Sequence, residues 1–241
     1  MKVLITNDDS ISSACLLPLA QWVKRRLGDV TVVAPKFEQS GKSHAIDIHA
    51  PFEVKKSDVL PGIDAYTVDS TPADCVRMAL LGMHMEPDLI ISGINRGYNM
   101  GHDILYSGTA GAVFEAALFG HNAMALSTDF HTFDSAIANL DRVWDFFCEK
   151  ELFSLHNLYN VNIPIDPKGI LMTHQGGPFY TDTFEALEND MYIARGCLAH
   201  KHEHDLSIDT DAVVDGFISV SPLTPDRTAW SVYDRVKDMK G

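Results

Sequence analysis

The chain has 241 residues, and its 19 Lys and Arg against 33 Asp and Glu leave a formal charge of −14. That balance excludes a nucleic-acid duplex as the expected partner, because tracking phosphates requires a basic face that displaces counterions. With 46% hydrophobic residues and no run near the roughly 18 consecutive apolar positions of a membrane span, a globular chain with no membrane partner is expected. Single nucleotides stay compatible with this charge, since one phosphate can be held locally by backbone N–H groups or by a metal. Cys15, Cys75, Cys148 and Cys197 are far apart, which argues against a zinc knuckle and a disulfide scaffold. The opening run meets Asn7-Asp8-Asp9 too early for a signal peptide, so a cytoplasmic address is expected.

In chain order, the apolar runs Val3–Thr6 and Val30–Ala34 read as buried parallel strands. Between them Leu16, Leu17, Ala20, Val23 and Leu27 recur at helical spacing, with Lys24-Arg25-Arg26 near the end and Gly28 as a stop. From Ser43 to Val68 the pattern alternates, and Ala45–His49 with Phe52–Val54 suggests an antiparallel strand pair inserted at one edge. A helix over Ala73–Met85, a strand Leu89–Ile91, a helix from about Gly111 to Phe119 and a strand Ala123–Leu126 follow. A helix Ser135–Phe147 and a strand Tyr159–Ile163 complete the alternation. Such βα repetition predicts a doubly wound, mostly parallel α/β sheet in one domain over residues 1–241. After Pro164 helical signals thin, a strand is expected at Phe217–Val220, and the terminal arm carries a short amphipathic helix around Trp230, Val232 and Val236.

In open α/β sheets ligands bind beyond the carboxyl ends of the strands, so the polar residues there are the ones to weigh. The first strand delivers Asp8 and Asp9, adjacent carboxylates that repel unless a cation or hydrogen-bond donors lie between them. A hard divalent metal satisfies that requirement; capping of the next helix is the alternative. The second strand exits into Pro35–Ser43, a polar loop whose hydroxyls can ligate a cation, although it lacks phosphate-loop spacing. The strand at Leu89–Ile91 exits into a long polar stretch containing Asn95 and Asn99. Ser107, Gly108 and Thr109 then stand at the start of a helix, where N–H groups and the dipole face an anion. His200, His202 and His204 would share one face of a strand, as in a soft-metal site, but a solvated hairpin is the simpler expectation.

Taken in order, Thr6-Asn7-Asp8-Asp9, Gln39-Ser40-Gly41-x-Ser43, Thr71-Pro72-Ala73-Asp74-Cys75-Val76, Ser92-Gly93-Ile94-Asn95-x-Gly97-x-Asn99-x-Gly101 and Tyr106-Ser107-Gly108-Thr109 resemble the survival-protein SurE family of nucleoside-monophosphate phosphatases. The likeness continues through Asn162-Ile163-Pro164 and Ser219–Leu223. It implies a Rossmann-like subunit and a homodimer or homotetramer with an exchanged C-terminal arm at residues 223–241. It also implies release of phosphate from 5′- or 3′-nucleotides. By the same resemblance, Asp8, Asp9, Ser40 and Asn95 bind one divalent cation such as Mn²⁺ or Mg²⁺. Ser107, Gly108 and Thr109 would hold the phosphate and Asn99 would support the pocket. Either water or Asp8 serves as the nucleophile.

Ser10, Ser13-Ala14-Cys15 and Ser70 depart from the family pattern, and a serine replacing a left-handed glycine would cost about 1 kcal/mol. A phosphoacceptor receiver module is the rival reading, given the paired acids and the Pro87–Ile90 strand. Ser92, however, stands where a receiver needs its acceptor Asp. A dinucleotide-dependent oxidoreductase is disfavoured because no G-x-G-x-x-G follows the first strand.

Overall fold

The computed structural model describes residues 1–239, so Lys240 and Gly241 of the expected arm lie outside the described residues. In chain order the elements are β1 (Lys2–Thr6), α1 (Leu16–Arg26), β2 (Asp29–Pro35), β3 (Val54–Lys56), β4 (Asp64–Val68), α2 (Pro72–Arg77) and β5 (Leu89–Arg96). Then come α3 (Gly108–Leu118), β6 (Asn122–Thr128), α4 (Asp134–Glu149), α5 (Leu152–Leu155), β7 (Leu158–Ile163) and β8 (Ile170–Met172). The last are β9 (Tyr180–Ala186), β10 (Tyr192–Leu198), α6 (Asp209–Val214), β11 (Ile218–Pro222) and α7 (Trp230–Val236).

Nine strands form one sheet in the order β3-β4-β2-β1-β5-β6-β7-β11-β8. The six from β4 through β7 run parallel, β3 is antiparallel at one edge, and β11 is antiparallel to β7. Side chains alternate along the buried strands, so Ile5 and Ile91 face a core shared with α1 and α4, while Leu4 and Ile90 face one shared with α2 and α3. Burial on both faces explains why these strands read as continuous apolar runs. From β1 the chain winds outward through β2 and β4, then crosses back to β5 and continues through β6 and β7. The reversal between β1 and β5 is a topological switch point, where Thr6 pairs with Ser92 at the carboxyl ends.

Several expectations change. The antiparallel edge exists, but it pairs Val54–Lys56 with Asp64–Val68, and residues 45–49 are irregular. There the Asp47 carboxylate accepts from the N–H groups of His49 and Ala50, and the Asp47 N–H itself donates to Asp74. Side chains thus satisfy backbone groups that a ladder would have used. The helix expected over Ala73–Met85 is α2 followed by a π-helical turn at Met78–Gly82. Strand β5 runs five residues beyond Ile91, with a register shift against β6 between Ser92 and Asn95. Helix α3 starts at Gly108, three residues before its expected position. His200, His202 and His204 lie in an irregular segment after β10 and not on a strand.

Strands β9 and β10 form a separate two-stranded hairpin exposed along its whole length, a feature the sequence reading missed. Helix α7 likewise buries none of its residues on this chain.

Ser10 has φ +83°, so a serine does occupy a left-handed position. Cys15 has φ −79° and carries no such strain. Ser70 is absent from the left-handed set, and its hydroxyl donates to Asp74 at 2.6 Å. Ser10→Gly should therefore stabilise the fold by about 0.5–1 kcal/mol, less than the full strain because glycine gains freedom in the unfolded chain. Calorimetry should show Tm rising by roughly 1–4 °C. A fall would mean that the 3.3 Å bond from the Ser12 N–H to Ser10 Oγ outweighs the strain.

Candidate active site

The candidate site lies at the switch point, where the exits of β1, β2 and β5 meet the amino end of α3. Asp8 is buried, with 5% of its surface exposed. The Thr109 hydroxyl donates to its Oδ1 at 2.5 Å. Asp8 sits against the first turn of α3: a Cβ on Gly108 would come within 3.0 Å of Asp8 Cβ and 3.2 Å of its Oδ2. Glycine at 108 therefore lets the carboxylate approach the positive end of the helix. Burial raises the Asp8 carboxyl above its ordinary value, opposed by hydrogen bonds from the Thr109 hydroxyl and backbone, while Glu38 adds repulsion.

Asp9 is half-buried, and its pKa is pushed up to about 6, first by burial and then by the neighbouring Asp8 carboxylate. The Arg96 backbone N–H opposes that rise. Asp9 Oδ2 and Asn7 Oδ1 are buried oxygens without a hydrogen-bond donor. Unpartnered acceptors of this kind are costly, and these two, one of them on a carboxylate crowded by its neighbour, belong to a set that a cation would complete. The alternative role as helix caps fails, because the N-cap of α1 is Cys15.

The remaining expected ligands reach the same region by different routes. The Gln39 N–H donates to the Asp8 carbonyl at 2.7 Å, drawing the β2 loop over the β1 exit. Ser40 is exposed there, and its hydroxyl donates to Glu38 at 2.6 Å. After the shift in β5, Asn95 pairs with Ser127, and its Nδ2 donates to the Gly97 carbonyl at 2.7 Å. That bond points the amide nitrogen away from ligand duty and leaves Oδ1 as the donor. Gly93, at φ +133°, allows the shift; a Cβ there would lie 2.3 Å from the Leu126 carbonyl oxygen.

Ser107 and Asn99 are engaged structurally. Ser107 caps α3, accepting from the Ala110 N–H at 3.0 Å. Asn99 is buried, donating from Nδ2 to Ser127 at 2.9 Å, while its carbonyl accepts from Asn160 and Asn162. Gly101 follows at φ +54°, and its N–H donates to Asp209 Oδ2 at 2.9 Å.

A cavity of about 360 Å³ opens at this point, and among its lining residues are Asp9, Glu38, Ser40, Arg96, Phe130 and Phe133. Its volume suits a small ligand. The Arg96 guanidinium lies 4.9 Å from the centre of the Phe133 ring, and Phe130 is 65% exposed. One cation and two aromatic faces beside clustered carboxylates can engage an anion and a flat ring together. Sequence reasoning missed Glu38, Arg96, Phe130 and Phe133. Glu38 and Arg96 did carry a signal, the first inside the polar exit of the second strand and the second adjacent to Asn95.

The family model described as survival protein SurE matches residues 3–182. The chain belongs to the SurE family. Among SurE-family relatives, the 5′-nucleotidase SurE of Thermoanaerobacter sp. (strain X514) is 37% identical over 96% of this chain and 95% of its own. That of Desulforudis audaxviator is 34% identical over the whole of both chains. The crystal structure of the SurE protein from Aquifex aeolicus superposes with a TM-score of 0.79 at 32% identity, covering 98% of each chain. Full-length likeness of sequence and fold sets the receiver reading aside.

Proposed function

We propose that this chain is a metal-dependent phosphatase that hydrolyses nucleoside 5′- and 3′-monophosphates to nucleoside and phosphate. The observation that carries this reading is the pair Asp8 and Asp9 at the switch point, of which Asp9 holds an unpartnered buried oxygen and lines a cavity with Arg96 and aromatic rings. The 5′-nucleotidase relatives support the same class of substrate.

Asp8, Asp9, Ser40 and Asn95 would hold one divalent cation such as Mn²⁺ or Mg²⁺, their all-oxygen donor set suiting a hard ion. When bound, the cation supplies charge neutralisation and a lowered pKa for water. Thr109 fixes Asp8 through its hydroxyl, which favours a ligand role for that carboxylate over direct attack on phosphorus. The amino end of α3, with Ser107, Gly108 and Thr109, stabilises phosphate oxygens through its dipole and backbone donors. Arg96 adds charge to the phosphate side, Phe130 and Phe133 offer faces to a base, and Asn99 braces the segment between β5 and α3 against β6 and β7. A reducing, cytoplasmic setting agrees with four free cysteines, two of them exposed. No helix among the described residues is long and apolar enough to cross a membrane.

The test is phosphate release from a panel of nucleoside 5′- and 3′-monophosphates with several divalent ions. Turnover of monophosphates supports the assignment, and no release with any ion overturns it.

The reading includes a homodimer or homotetramer. Trp230, Val232 and Tyr233 on α7 are about half exposed, as is Tyr180 on the hairpin, and Leu198 there is 65% exposed. Apolar side chains grouped on protruding segments favour burial against a second copy. Truncation after Pro225 should lower the sedimentation mass while leaving the Asp8 pocket chemically complete. Full-length protein sedimenting as a 26.6 kDa monomer at micromolar concentration would overturn the proposed role of the arm.

A further inference from the structure

Away from the switch point, three side chains converge where the segment after β10 meets the end of α6. His202 Nε2 lies 3.2 Å from Asp215 Oδ1, and His204 Nδ1 lies 3.0 Å and 3.1 Å from the two Asp215 oxygens. The two imidazole rings are 4.0 Å apart between centres. One donor atom from each of the three residues falls within 4.8 Å of the other two. Ligands of a tetrahedral ion with bonds near 2.0–2.1 Å stand about 3.3 Å apart, so only a small closing movement separates this arrangement from a coordination shell.

The surrounding segment is already held in place. Asp211, one helical turn before Asp215, is fully buried; its Oδ1 lies 2.7 Å from His200 Nε2. Its Oδ2 accepts from the N–H groups of Glu203 at 3.1 Å and Asp205 at 2.8 Å. His204 takes a left-handed backbone, φ +59°, which turns its ring back toward Asp215. The Lys168 ammonium donates to the Asp215 carbonyl at 2.7 Å and steadies the end of the helix. Two imidazoles and one carboxylate on a braced loop limit the ordering that binding would require.

We propose that His202, His204 and Asp215 form a second metal site, selective for a borderline transition-metal ion of the Zn²⁺ class, that fastens the base of the exposed β9–β10 hairpin to α6. Imidazole nitrogen favours Zn²⁺, Co²⁺ or Cu²⁺ over Mg²⁺, whereas the all-oxygen set around Asp8 favours hard ions. On binding, each imidazole carries its single proton on the nitrogen facing away from the metal, and Asp215 supplies the balancing charge. The open side, where the His204 side chain is 74% exposed, leaves room for water as a fourth ligand. This site is structural: it governs how firmly the hairpin is anchored and takes no part in phosphate chemistry.

The experiment uses the full-length chain, stripped with chelator and then saturated with Mg²⁺ to fill the oxygen-rich site. Titration calorimetry with Zn²⁺ should show one ion bound per chain with Kd of about micromolar order. Paramagnetic resonance of added Cu²⁺ should show coupling to two imidazole nitrogens. His202→Ala and His204→Ala should each remove one nitrogen coupling. The double variant should weaken Zn²⁺ binding at least ~10-fold, and Asp9→Asn should retain it. Both histidines are exposed, so the variants should melt like the parent without metal. Absence of nitrogen coupling in the parent, or equal Zn²⁺ affinity in the double variant, overturns the proposal. So does Zn²⁺ binding that disappears in Asp9→Asn, since the ion would then belong to the other site.

Discussion

Asp8→Asn and Asp9→Asn are each expected to lower kcat/KM for a nucleoside monophosphate by at least ~10²-fold, about 2.7 kcal/mol of transition-state stabilisation. The amide keeps the shape of the carboxylate and removes its charge, so the loss reports charge at the metal-binding cluster. Asp9 permits a second readout. Its pKa in the folded chain is raised to about 6 by burial and by Asp8, so its ionised form is disfavoured by folding at neutral pH. Asp9→Asn should consequently hold or raise Tm in the absence of metal while activity falls. A variant that loses stability and activity together would point to a scaffolding role, and near-normal turnover in either variant would remove these carboxylates from the chemistry.

Chelation carries the other large effect. Phosphate release should vanish when divalent ions are removed and return on addition of Mn²⁺ or Mg²⁺, because Asp9 Oδ2 and Asn7 Oδ1 have no donor among the described residues. Without a cation, the Asp8–Asp9 repulsion is left uncompensated at the point where an anionic substrate must enter. Full turnover after verified metal loss would exclude the metal-dependent mechanism.

The parallel sheet was legible because Val3–Thr6, Val30–Ala34, Ala123–Leu126 and Tyr159–Ile163 are strands covered on both faces, and such burial leaves uninterrupted apolar runs. The exposed hairpin was not, since neither of its faces is covered within this chain and no burial pattern marks it. Residues 45–49 misled in the opposite direction. Their alternation imitates a half-buried strand, but Asp47 captures the following N–H groups and ends any ladder there.

The site divides along similar lines. Asp8, Asp9 and Asn95 follow apolar runs directly, where strand topology alone makes polar residues conspicuous. Glu38 follows β2, Arg96 ends β5, and Phe130 and Phe133 share the connection between β6 and α4; these segments share no periodicity, and only folding gathers them around one cavity. Ser107 stands where a helix begins, so its hydroxyl could face an anion or cap the helix, and the structure commits that oxygen to capping α3.

The bond from the Gly101 N–H to Asp209 joins positions 108 residues apart, and the same carboxylate accepts from the Gly176 N–H. During synthesis at 5–20 residues per second, the loop leading from Asn95 to α3 therefore exists for about 5–20 s before its anchor has been made. The β1, β2 and β5 strands can assemble in that interval, but the carboxylate that pins this loop arrives with α6. A ribosome-bound fragment ending shortly after β7 thus has Asp8 and Asp9 in place at the exit of β1 beside a loop that still moves, and the loop's anchor comes only with the last quarter of the chain.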